Sequence, residues 1–183
     1  MMPLLAATLA LALFPFVGIA QTSSRRASAD TSALQFHGFR AGARLEELST
    51  VIRGRSGGRL RCDRAKRDRR VSECRGAVSD SAMGPPVAIW ISAMDSAAGI
   101  ITLSAELDRT TLDRWRRHIE SRYGRVSSKV QGGQTMMQWV RRGRMLRLTW
   151  RTDQGERIAS VSLVDGRVLD AWGRSRTATQ GGP

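Results

Sequence analysis

Residue types that build many catalytic and metal sites are scarce in this chain of 183 residues, which holds two histidines, two cysteines, one tyrosine and two lysines. His37 and His118 are its only side chains that titrate near neutrality without perturbation. With Cys62 and Cys74 they form no CxxC or HxxxH spacing, so no metal site is expected. The chain also lacks a Gly-x-Ser-x-Gly elbow, a phosphate-binding P-loop and a dinucleotide fingerprint. Gly54, Gly57 and Gly58 precede an expected strand, not a helix, and Glu46 and Glu47 are helix neighbours that diverge too far to act as a glycosidase pair. His118 borders an apolar helix stripe and His37 lies in a His-Gly turn, so both read as structural. The expectation is no enzyme, no cofactor and no metal.

Acidic residues are scarce as well. Sixteen Asp and Glu face thirty Lys and Arg, a net charge of +14, while 41% hydrophobic and 25% charged residues place the chain among globular rather than disordered proteins. Residues 1–20 carry no charged side chain and form an apolar run that ends Gly18-Ile19-Ala20 before a polar stretch, the pattern of a secretory signal peptide. A membrane anchor formed by residues 1–20 is the alternative, because the run lacks a basic n-region. No cysteine follows it, as a bacterial lipoprotein would require, and Arg25-Arg26 lies after the run, so it is no twin-arginine signal. Export to a periplasmic or extracellular compartment makes a Cys62–Cys74 disulfide the expected state of the two thiols. Mirror-image pairing about Asp68 sets Cys62 opposite Cys74, Asp63 opposite Glu73 and Arg64 opposite Ser72, which fixes a hairpin register.

Between a flexible leader at 21–33 and a disordered tail at 174–183, residues 34–173 read as a single α+β domain. The first helix is expected over about 43–53, with Leu45, Leu48, Val51 and Ile52 on one face and Gly54 as its stop. A basic hairpin follows, with strands near 59–63 and 70–77. Strands near 87–91 and 100–103 come next, around a turn at 95–99. The second helix, about 111–123, carries Leu112, Trp115, Ile119 and Tyr123 on one stripe, a Thr110/Asp113 cap and a Gly124 stop. Hairpins at 134–140 with 144–151, turning at Arg142-Gly143, and at 157–164 with 167–172, turning at Asp165-Gly166, complete the domain. Each half then reads helix, hairpin, hairpin: a tandem α-β-β-β-β unit over 34–107 and again over 108–173, with helices packed on an antiparallel sheet.

The segment Phe36-His37-Gly38-Phe39-Arg40-Ala41-Gly42-Ala43-Arg44-Leu45-Glu46-Glu47-Leu48, followed by Cys62 and Cys74, resembles the opening of exported repeats in the β-lactamase-inhibitor-protein and outer-membrane-assembly lipoprotein (SmpA/OmlA-like) superfold. It departs from that pattern at Arg44, where a Ser or Thr helix cap is usual. The resemblance implies a binding or assembly module rather than an enzyme.

Charge is distributed unevenly. Ten basic residues against three acidic ones give residues 53–75 a charge of +7, and 141–151 add five arginines and no acid. The candidate basic surface is Arg59, Arg61, Arg64, Lys66, Arg67, Arg69 and Arg70 with Arg141, Arg142, Arg144, Arg147 and Arg151. Strand alternation sets Arg147 and Arg151 on the face opposite Leu146, Leu148 and Trp150. Trp90, Trp115 and Trp150 fall on apolar phases and are expected in the core, leaving Trp139 and Trp172 as the more exposed pair. The expected function is an exported, non-enzymatic binding module for an envelope or secreted protein. The alternative is a basic envelope protein that binds polyanions, namely anionic lipid, acidic glycan or nucleic acid.

Overall fold

The computed structural model describes residues 33–56, 58–153 and 156–180. The expected signal peptide or anchor and nearly all of the leader lie outside the described residues. Among the described residues, no helix is long and apolar enough to cross a membrane.

Chain order is β1 (Gln35–Phe36), β2 (Phe39–Arg40), α1 (Leu45–Ser56), β3 (Arg61–Arg64), β4 (Val71–Val78), β5 (Val87–Met94), β6 (Ala97–Glu106), α2 (Arg109–Tyr123), β7 (Lys129–Gln131), β8 (Gln134–Arg141), β9 (Arg144–Asp153), β10 (Glu156–Asp165) and α3 (Gly166–Gln180). The fold is α+β. β1 and β2 form a small hairpin, and the other eight strands form one antiparallel sheet in the order β3-β4-β5-β6-β10-β9-β8-β7.

Period-two alternation gives the sheet two unlike faces. Cys74, Ile89, Ile91, Ile101, Leu103, Val161, Leu163, Leu146, Leu148, Met137 and Trp139 all point to one face and are buried there. This inner face is covered by α1, α2 and the β1–β2 hairpin. Ile52 of α1 packs on Gly76 of β4, where side-chain absence lets the helix approach. Trp115 of α2 is fully buried, meets the Phe36 ring edge-on at 5.0 Å and donates its indole N–H to the Met83 carbonyl at 2.8 Å. Tyr123 exchanges hydrogen bonds with the backbone of Gln35, tying the end of α2 to β1.

α2 begins two residues before its expected start. Asp108, not Thr110, is the cap, and its Oδ1 accepts from Thr111 N at 2.6 Å; the helix stops at Gly124, whose φ is +86°. α1 runs through Gly54 instead of stopping there. A mid-helix glycine costs about 1 kcal/mol, which is offset by the burial of Ile52 and by Arg53 and Arg55 at the negative end of the helix dipole.

The largest correction concerns Asp165-Gly166. No hairpin forms there: β10 ends at Asp165, and residues 166–180 are α3, including the 167–172 expected strand and most of the expected tail. The four strands of the second half are therefore β7 to β10: β8, β9 and β10 form where strands were expected at 134–140, 144–151 and 157–164, and β7, not a strand at 167–172, is the fourth. A type I′ turn needs positive φ at its central residues, and Gly166 does not have it. Asp165 instead caps the new helix, its Oδ1 accepting from Arg167 N at 3.0 Å, while Gly166 N donates to the Gly143 carbonyl at 2.8 Å.

Asp165 is 2% exposed and its Oδ2 accepts from Arg144 Nε at 2.8 Å and from Arg167 at 3.3 Å. Burial alone would raise its pKa, but the hydrogen bonds from Arg144 and Arg167 outweigh that and hold it below the ordinary carboxylate range. Gly42 completes the site. Its φ is +83°, and a Cβ there would come within 2.5 Å of Asp165 Oδ2.

The Cys62–Cys74 disulfide forms, with Cα atoms 4.0 Å apart, and the expected register holds: Cys62 opposite Cys74, Asp63 opposite Glu73, Arg64 opposite Ser72.

Two outcomes follow. Asp165→Ala leaves Arg144 buried without its counter-ion and should cost about 3–5 kcal/mol in urea unfolding, whereas Asp170→Ala, on an exposed turn of α3, should cost under about 0.5 kcal/mol. In unreduced protein both thiols should resist alkylation, and reduction should lower stability by about 3 kcal/mol, the closure entropy of so short a loop. Two alkylatable thiols in the oxidised fold would contradict the pairing.

Candidate functional site

The opposite, outer face of the sheet is open over most of its area. From the registers it presents Arg61 and Asp63 on β3, Glu73 and Arg75 on β4, Trp90 and Ser92 on β5, Thr102 and Ser104 on β6, Ser160 and Ser162 on β10, Arg147, Thr149 and Arg151 on β9, and Gln138 on β8. Of these, the three central strands carry no charge along residues 88–94, 100–104 and 158–164. Their hydroxyls pair across the seam between the two halves of the sheet: Ser104 with Ser160 at 3.2 Å and Thr102 with Ser162 at 3.5 Å. Trp90 stands beside this hydroxyl row, opposite Arg75 on one side and Thr102 on the other, and is half-buried. Arginines flank the neutral centre on both sides, Arg75 on β4 and Arg147 and Arg151 on β9.

The exposure of the tryptophans reverses part of the expectation. Trp139, expected near the surface, is 4% exposed and donates to the Gly124 carbonyl at 2.7 Å, while Trp90, expected in the core, is half-buried on the outer face; Trp150 packs against the core as expected, though it too is only half-buried. Trp172 is half-buried and donates to Asp68 Oδ2 at 3.1 Å.

The twelve candidate basic residues do not form one patch. Arg59, Arg61, Arg64, Lys66, Arg67, Arg69 and Arg70 belong to the edge hairpin, whereas Arg141, Arg142, Arg144, Arg147 and Arg151 sit on β8, β9 and their turn. Four strand spacings separate β4 from β9, about 19 Å. Several of the twelve are engaged inside the protein. Arg144 is buried on Asp165, Arg70 makes a bidentate pair with Asp68, and Arg141 donates to the Tyr123 carbonyl at 2.9 Å with its guanidinium 5.5 Å from the Tyr123 ring centre. Arg147 lies on the outer face and donates to Gln138 Oε1 at 2.9 and 3.1 Å. Arg59, Arg61, Arg64, Lys66, Arg67 and Arg69 are exposed at the sheet edge and hairpin tip, and Arg142 and Arg151 are also exposed.

The two histidines, distant in sequence, meet on the other side of the molecule. Their rings stack at 4.4 Å, 9° from parallel, beside Phe36. His37 is held there by the β1–β2 turn, in which it and Gly38 both have positive φ. Burial, then the neighbouring His118 and Arg55, pushes the His37 pKa down to about 4 against an opposing contribution from Asp80; burial and Arg122 lower that of His118. Asp80 is itself ion-paired with Arg55. Neutral, stacked and short of a carboxylate partner, the pair has the chemistry of a packing contact. Among the described residues no three of His, Cys, Asp and Glu gather into a metal-binding group.

Because the unfolded-state pKa is near 6.5, the unfolded chain binds more protons than the folded one between about pH 4 and 6.5, so stability should fall as pH drops through that window. His37→Asn, which tolerates positive φ, should show a smaller loss of urea midpoint between pH 7 and pH 5 than the wild type. Identical pH profiles would refute this account of the stack. Compared with protein-family models, curated proteins and solved structures, the chain matches none.

Proposed function

We propose that the protein is an exported, non-enzymatic binding module that docks an envelope or secreted protein on its outer sheet face. One observation carries the reading: a charge-free centre with a half-buried, outward-facing tryptophan, bordered by arginines. Protein interfaces are depleted of charge at their centres and enriched in tryptophan and arginine. The neutral strands together with the flanking β4 and β9 offer an area of the order of the 800 Å² that a standard interface buries per partner. A cross-strand disulfide supports export to an oxidising compartment.

The finer fold reading supports the same conclusion. α1-β3-β4-β5-β6 and α2-β7-β8-β9-β10 repeat one element order, and each unit runs inward from an outer edge of the sheet to meet the other at β6 and β10. We read them as tandem units of the β-lactamase-inhibitor-protein and SmpA/OmlA-like superfold, in which the sheet serves as a platform and the helices as backing.

The competing reading is a polyanion binder that uses the edge hairpin, whose exposed arginines and Lys66 favour it. Trp90→Ala and salt separate the two. Binding to a partner retained from native envelope extract should weaken at least thirtyfold in Trp90→Ala, the size of a central interface residue of about 2 kcal/mol, and should persist from 50 to 300 mM salt. Binding that disappears with salt, is lost in Arg67→Glu and is unchanged in Trp90→Ala would establish the polyanion reading.

A further inference from the structure

α3 does not lie on the neutral centre of the outer face but crosses one end of it. Gly99 lets it approach: a Cβ there would meet Leu169 at 3.0 Å and Val168 at 3.3 Å. Farther along the helix, Trp172 reaches the tip of the β3–β4 hairpin and donates to Asp68. Helix and hairpin tip therefore bridge over the sheet, and beneath them is a cleft of about 850 Å³. That volume lies within the range of small-molecule sites.

Its lining is divided by chemistry. Val71, Met94 and Ile100 form the sheet side, and Val168, Leu169 and Trp172 the helix side. Charge enters only from β4 and the hairpin tip, through Arg67, Asp68, Arg70 and Glu73. Asp68 is consumed by the structure. It accepts from Arg70 N, Arg70 Nε and Arg70 Nη2 and from the Trp172 indole, and these hydrogen bonds hold its carboxyl well below the usual range. Glu73 is exposed on the same strand face as Arg75 and stands opposite Asp63 of β3. The Arg67 guanidinium has no hydrogen-bond or ion-pair partner among the described residues. The cleft thus pairs an apolar channel with the Arg67 guanidinium at its hairpin end and the Glu73 carboxylate on β4, and the stretch of the chain that supplies both carries +7, so the surrounding field favours an anion.

We infer that this cleft binds a medium-chain aliphatic carboxylate, with its alkyl chain between α3 and strands β4 to β6 and its carboxylate on Arg67. An apolar chain displaces water from Val71, Met94, Ile100 and Leu169, and a guanidinium is the best-matched side chain for a carboxylate because its N–H fork can bind both oxygens. An alkylammonium of equal length would place its charge against Arg67 and in the field of the surrounding arginines. The cleft borders the docking face, sharing Ser92, Met94 and Ile100 with its strands, but uses neither Trp90 nor the hydroxyl row, so Trp90→Ala should leave dodecanoate binding unchanged and thereby separates the two proposals.

Calorimetric titration of the full folded chain with monomeric dodecanoate, dodecanol and dodecylamine tests the inference. Dodecanoate should bind saturably at one site and at least tenfold more tightly than dodecylamine. Arg67→Glu, an exposed change that spares the fold, should reverse that order. Ser92→Phe, which fills the cleft from the sheet side, should abolish binding of both dodecanoate and dodecanol. If Ser92→Phe fails to fold, Arg67→Glu decides alone. No saturable binding, equal affinity for the three probes, retention only by anionic vesicles, or an unchanged order in Arg67→Glu would each overturn the proposal.

Discussion

A buried carboxylate needs partners, and in this protein the need of one carboxylate draws four segments together. Asp165 sits at the end of β10, where burial penalises its charge and Arg144 and Arg167 restore it. Arg144 comes from the first residue of β9, and Gly42 from the loop before α1 leaves the space the carboxylate occupies. Gly42 N in turn donates to the Ala98 carbonyl at 2.6 Å, linking that loop to the start of β6. The same carboxylate caps α3 and so turns the chain out of the sheet. Were the chain to continue as an eleventh strand, β10 would not pass directly into a helix at that point, and nothing would arch over the edge hairpin to make the cleft.

This competition explains what the sequence does and does not disclose. Asp-Gly between apolar runs is a strong hairpin signal because it suits positive φ, yet the same aspartate is also a good helix cap. The deciding signal lay beyond it: Val168, Leu169 and Trp172 recur at helical spacing, not strand spacing. Strand β7 escaped detection for a different reason. Lys129, Val130 and Gln131 are all exposed, so no alternation marks them, and only pairing with β8 across Gly132-Gly133 makes them a strand. The edge hairpin was legible because two cysteines placed symmetrically about one turn allow few registers, and the stripe of α2 was legible because four large side chains share one period.

The candidate site was harder to read than the fold, since exposure depends on phase. Val87 to Ile91 is apolar throughout, and a continuous run does not reveal which alternate residues face inward. The register settles it. Ile89 and Ile91 pair with Leu103 and Ile101 in the core, which turns Trp90 outward. Likewise Leu146 opposite Trp139 draws that indole inward. The arginine clusters were visible in composition, but composition could not show that Arg144 neutralises a core carboxylate, that Arg70 is bound to Asp68, or that the sheet holds the two groups apart. Much of the apparent basic surface is thus structural or scattered, which shifts the weight of a functional reading from charge to the neutral sheet centre.

That centre is built from hydroxyls, and the choice has an energetic logic. Aliphatic side chains on both faces of an eight-stranded sheet would leave a large exposed apolar surface prone to indiscriminate association. Charged side chains would keep it soluble but would impose a heavy desolvation cost on any partner that covered them. Serine and threonine lie between these extremes. Thr102 with Ser162 and Ser104 with Ser160 hydrogen-bond to one another, so covering them leaves fewer polar groups in want of a partner. A surface of this kind stays hydrated in the free protein yet costs little to dry; on the proposed docking reading, Trp90 would add apolar contact and the bordering arginines directional contacts. The physical constraint that separates the two basic clusters, β5, β6 and β10 standing between them, is therefore also what creates the uncharged field that a partner could cover.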